Sequence, residues 1–157
     1  MNPEIELSKL TAVQGMDLFL RNFSKVPDDK LTWAPTPTSK SALRVAAHTA
    51  VTSANFAEFI RNRKLPAGDD IPDFMARTAA AEAAITTREE MEGVFRDNTQ
   101  KVLDALDTLT DEDFELVFDS GMSMKFLMRL AGWHATLHLG QIDYLQTCWN
   151  DQQIYTG

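Results

Sequence analysis

Cysteine is nearly absent from this 157-residue chain, which has only Cys148. A single thiol closes no internal disulfide, so a small disulfide-braced scaffold of the secreted kind is excluded. Histidine is almost as scarce, with three residues. No apolar run approaches the ~20 residues that a membrane span requires. Basic residues are outnumbered, 15 Lys and Arg against 23 Asp and Glu, for a formal charge of −8. Phosphate binding draws its affinity from clustered Lys and Arg, so nucleic acid is excluded as a main partner. The stretch from Met1 to Lys9 is acidic and polar and lacks the basic-then-apolar pattern of a secretory leader. These absences lead to the expectation of a soluble, cytoplasmic protein without a membrane or nucleic-acid partner.

What is present is apolar content and helical periodicity. The chain is 44% hydrophobic, too much for disorder. A chain of ~150 residues buries about 68–70% of its unfolded surface. One domain over residues 1–157 is therefore expected, with no Gly/Ser linker or internal repeat to divide it. The charge is uneven. Residues 102–157 hold nine acidic residues against Lys125 and Arg129, while the first 101 residues are nearly balanced.

The periodicity predicts four long helices. The first runs from about Glu4 to Phe23, with Leu7, Leu10, Val13 and Leu20 near one face and Ala12, Met16, Phe19 and Phe23 beside it. The second starts at Ser41, a cap residue, and ends before Pro66-Ala67-Gly68. The third opens at Thr87-Arg88-Glu89-Glu90, which fits a capping box, and carries the stripe Met91, Phe95, Asn98, Val102, Ala105 and Leu109. The fourth runs from about Met124 to Cys148. The Ala-rich Thr78–Ala84 stretch reads as a short extra helix, and Phe114–Phe118 as the start of an irregular turn or hairpin. The fold class expected is all-α, a four-helix bundle.

The fourth helix carries the chemistry. Met124, Leu127, Ala131, His134, His138, Gln141, Leu145 and Cys148 recur at alternating steps of three and four, an a/d seam. Two histidines and a glutamine on such a seam need partners if they are buried. His134 and His138 form H-x-x-x-H, whose rings lie one above the other about 6 Å apart and can turn to one ion. His48 sits mid-helix among Val45, Ala46, Ala47, Ala50 and Val51 on the second helix. All the histidine in the chain thus falls on inward faces of two helices. Packed helices lie about 8–10 Å apart, so the three rings can meet at one metal. The alternative is a set of core histidines that bond only one another or backbone. Gln141 shares the stripe of His138, and Thr52 and Asn55 share that of His48. They are read as supporting the ligands, lining a substrate cavity, or pairing in the core. Trp33 is read as a core plug or cavity wall, Cys148 as a buried small hydrophobe, and Gly140 as a point of close helix approach.

Taken together, these features resemble the DinB-like superfamily. The segment Val26-Pro27-Asp28-Asp29-Lys30-Leu31-Thr32-Trp33-Ala34-Pro35 is similar to the family's entrance to its second helix. The Ser41-to-His48 spacing and the Thr87 helix start resemble the next two elements. His134-x3-His138-Leu139-Gly140-Gln141 resembles the signature H-x-x-x-H-R-G-Q, with Leu139 in place of the usual Arg. The resemblance covers nearly the whole chain. It implies a four-helix bundle, often a homodimer, that binds a divalent ion such as zinc or nickel through His48, His134 and His138. Relatives implied by it include low-molecular-weight-thiol S-transferases and a mycothiol-dependent maleylpyruvate isomerase. The function expected is that of a metal-dependent transferase acting on a small-molecule substrate with a small thiol. The competing expectation is a stress-response or binding module that holds metal or a small ligand without chemistry. Leu130, Leu137, Leu139, Ile142 and Tyr144 make the fourth helix apolar nearly all round, which agrees with a second copy packing on it.

Overall fold

Helix α1 (Pro3–Phe23) starts where the Asn2 side chain accepts the Glu4 amide at 3.0 Å. Pro3 takes the first helical position, where a missing N–H is harmless. The computed structural model describes residues 2–155. Its other helices are α2 (Ala42–Asn62), α3 (Asp70–Ala84), α4 (Arg88–Leu106), α5 (Met124–Leu127) and α6 (Leu130–Cys148). Ser41 caps α2, and Thr87 and Glu90 form the expected capping box at α4. No described helix is long and apolar enough to cross a membrane.

Side-chain links fix the helix directions. Lys9 meets Asp107, and Arg88 donates to the Phe23 carbonyl at 2.7 Å, so α1 and α4 are antiparallel. Asn98 bonds the Ala50 carbonyl and Arg63 that of Thr108, so α2 and α4 are parallel. Asn22 donates to Asp143 at 2.6 Å and Arg129 pairs with Glu4, so α1 and α6 are parallel. The four long helices therefore run up, down, down, up. A parallel pair such as α2 and α4 needs a long return connection, and α3 occupies it.

Two apolar clusters fill the bundle. Phe19, Phe23, Phe95 and Ile142 anchor one, with Phe19 edge-on to Phe95 at 5.5 Å. Ile60, Val102, Leu106, Met124 and Leu127 anchor the other. Where α1 meets α6 the backbones nearly touch. A Cβ at Gly132 would lie 2.6 Å from the Thr11 carbonyl oxygen, and one at Gly15 would lie 2.9 Å from that of Gly132. The glycine of close approach is thus Gly132. Gly140 is exposed with nothing near its would-be Cβ.

Several expectations are corrected. The extra helix is fifteen residues long, not a short Ala run, because Pro72 lies in its first turn, where proline is tolerated. None of its residues is buried, so it carries no apolar stripe to betray its length. The fourth helix is two: α5 ends in a tight turn at Met128-Arg129, with the Arg129 amide on the Phe126 carbonyl, before α6 begins. Between α4 and α5 lie a 3-10 turn (Asp111–Glu115) and one isolated antiparallel bridge, Val117 to Ser123, which is the irregular turn of the two alternatives expected there. Leu7 and Leu10 are exposed, since α1 turns Ile5, Ala12, Met16, Phe19 and Phe23 inward. Cys148 is exposed, its thiol on the Tyr144 carbonyl.

Candidate metal centre

His48 stands on α2 two turns after its Ser41 cap, while His134 and His138 stand on the antiparallel α6. The antiparallel crossing brings all three rings together. Their centroids are 5.2 Å (His48–His134), 4.9 Å (His48–His138) and 4.2 Å (His134–His138) apart. One ring nitrogen from each lies within 4.8 Å of the others. All three are half-buried, and Phe56 packs edge-on to His134 at 5.4 Å.

Hydrogen bonds assign the nitrogens. A carboxylate only accepts, so Nδ1–H of His48 donates to Glu82 Oε1 at 2.7 Å. Nδ1 of His138 donates to Gln141 Oε1, also at 2.7 Å. In the neutral form both rings then keep Nε2 as a lone-pair donor. His138 Nε2 and His134 Nε2 lie 3.0 Å apart. That is close to the ~3.3 Å edge of a tetrahedron with metal–nitrogen bonds of about 2.0–2.1 Å. A proton shared between the Nε2 atoms of His134 and His138 would still leave His48 Nε2 unserved and His134 Nδ1 buried without a partner among the described residues. Three converging neutral imidazoles fit a divalent cation better than they fit one another.

Burial is the main reason the His134 imidazolium is disfavoured, and the neighbouring His138, His48 and Lys40 add to it; its pKa falls to about 3. His138 is also pushed down, chiefly by burial, although its bond to Gln141 opposes the shift. Neutral rings are the form that ligates metal.

The remaining expected residues divide. Gln141 touches the centre through His138. Asn55 donates to Thr78 on α3 at 3.2 Å and lines a cavity of about 580 Å³ between α2, α3 and α4. Thr52 is half-buried one turn from His48 and is not seen to bond any of the rings. Trp33 packs edge-on to Trp149 at 6.1 Å against the core and does not meet the histidines. Leu139 is buried in the core cluster, about 100° around α6 from His138. The position where the family usually has Arg thus faces the core rather than the histidines.

Three residues near the centre escaped the sequence reading. Glu82 arrives from α3, 34 residues from His48. Arg44, one turn before His48, donates to the carbonyls of Glu82 at 2.7 Å and of Ile85. Lys40 adds positive potential at both α6 rings. The one signal for Glu82 was its isolation, as the only ionisable residue between Arg77 and Arg88.

Comparison with known proteins agrees with this geometry. The sequence model of the DinB superfamily matches residues 12–142, from the middle of α1 to the second half of α6. No curated protein matches the chain.

Proposed function

The chain belongs to the DinB superfamily, and from that membership and its histidine cluster we propose a metal-dependent enzyme that activates a small thiol or water. The observation that carries the reading is the convergence of one nitrogen each from His48, His134 and His138 within 4.8 Å. Zinc or nickel suits three imidazoles, which are borderline donors. A divalent ion there supplies positive charge that makes a thiol or water more acidic near neutral pH.

The chain's own residues support that chemistry in three ways. Imidazole ligands bring no negative charge of their own, so only Glu82 behind His48 offsets the charge of the ion, and Lys40 adds to the local potential. An anionic or readily ionised cosubstrate is favoured at such a centre. Gln141 holds the ring of His138 in one tautomer. The reacting thiol has to come from a cosubstrate. The only thiol of the chain, on Cys148, lies ten residues past His138, ~15 Å along the helix, and is exposed.

The test is incubation of metal-loaded protein with low-molecular-weight thiols and a panel of electrophiles. Thiol consumption that requires both metal and protein supports the transferase reading. No turnover across the panel, with metal bound, favours a binding module instead.

We also propose that two copies pair through the outward face of α1 and α6. Leu7, Leu10, Trp133, Leu137 and Tyr144 are all exposed, Leu137 to 66% and Tyr144 to 69%. Helical phase puts them on the side of this helix pair away from the core. Patches of this kind mark association surfaces.

A further inference from the structure

Helix α3 is held to the bundle mostly by polar contacts, and two of these converge on the metal centre. Arg44 on α2 donates to the Glu82 and Ile85 carbonyls, which tethers the last turn of α3. The Glu82 side chain then reaches Nδ1 of His48, one turn further along α2. Both side chains are about three-quarters buried. The Glu82–His48 bond is thus formed on a backbone already fixed by Arg44. Burying a carboxylate is unfavourable unless its partner repays it, and Arg44 spends its donors on the backbone carbonyls rather than on this carboxylate. Its side-chain partner is the imidazole N–H.

We propose that Glu82 is the positioning residue of the metal centre. Its carboxylate holds the proton of His48 on Nδ1 and points Nε2 at the ion, as outer carboxylates do for metal-bound histidines. The inference rests on the metal reading of the three histidines and deepens it. It also couples α3 to the ion. Metal on His48 polarises Nδ1–H and strengthens its bond to Glu82, and by reciprocity a docked α3 favours metal. Arg77 on Glu58, Asn55 on Thr78 and Phe74 against Phe59 also hold α3 to α2, but the Glu82–His48 bond is the one of these that reaches the histidines.

The experiment compares wild type with Glu82→Ala and Glu82→Gln, full-length, by zinc competition against a chromophoric chelator. Glu82→Ala is expected to weaken zinc binding roughly 10–100-fold. Glu82→Gln keeps an acceptor oxygen but not the charge, and falls between. Alanine suits the Ala-rich exposed helix, so thermal melts of the metal-free variants should stay close to wild type. The separate readout is imidazole ¹⁵N NMR of metal-free protein near pH 8. His48 should be the Nδ1–H tautomer in wild type and lose that preference in Glu82→Ala. Zinc should also slow amide exchange across α3 in wild type but not in Glu82→Ala. Unchanged affinity and tautomer in Glu82→Ala would overturn the inference while leaving the metal reading intact. Absence of zinc binding in wild type would overturn both.

Discussion

Nε2 of His134 and Nε2 of His138 face each other at 3.0 Å, one helical turn apart on α6. Two imidazolium ions do not share that space. Burial and the neighbouring rings hold His134 neutral down to about pH 3, and His138 is shifted the same way.

A pH dependence of stability follows. The unfolded chain protonates His134 near its ordinary value of about 6.5, whereas the folded chain resists until about 3. Between those values the unfolded state binds more protons, so stability rises with pH. It is fully present above about pH 6.5 and is lost progressively as pH falls toward 3. Thermal melts of chelator-treated protein should show Tm falling between pH 7 and 4.5. His134→Leu should flatten that slope. A Tm independent of pH over this range would contradict the assignment.

The α1–α6 crossing makes a second prediction. Gly132→Ala sets a methyl 2.6 Å from the Thr11 carbonyl oxygen, a backbone atom with little freedom to move. Such overpacking costs about 1–3 kcal/mol. That outweighs the ~1 kcal/mol gain in helix propensity over glycine. Gly93→Ala, exposed on α4 with nothing near its would-be Cβ, should instead stabilise by about 0.5–1 kcal/mol. Urea unfolding of the two variants should give opposite signs. Equal signs would mean that α1 and α6 are not in backbone contact.

Pairing of two copies is tested by charge. Leu137→Glu puts a carboxylate in the middle of the exposed apolar face of α6, far from the core. Light scattering on a size-exclusion column should give a dimer for wild type and a monomer for the variant, with unchanged helical content. A wild type that stays monomeric at all concentrations would remove this part of the account.

Much of this architecture was legible in the chain. Thr87 and Glu90 announced the start of α4, and its stripe from Met91 to Leu109 is buried throughout. The H-x-x-x-H spacing and the apolar setting of His48 named the three rings that converge. The a/d seam of the last helix was less faithful. The seam crosses the break at Met128-Arg129, and within α6 a helix drifts ~20° per heptad from a 3.5-residue repeat, so Gln141 and Cys148 lie in solvent although Met124 is buried. The inward row is Ala131, Ala135, Leu139, Ile142 and Gln146. Leu7 and Leu10 misled because apolar residues lie on both faces of α1, and periodicity does not say which face meets the core. Glu82 was out of reach for a different reason. Its partner lies 34 residues away, and α3 has no buried face through which a pattern could betray its docking.

Whether His48, His134 and His138 hold one divalent ion is decided by elemental analysis of purified protein, wild type beside His134→Ala. Wild type should carry about one zinc or nickel ion per chain and the variant almost none. Equal metal in both, or none in wild type after zinc loading at pH 7.5, would contradict that expectation.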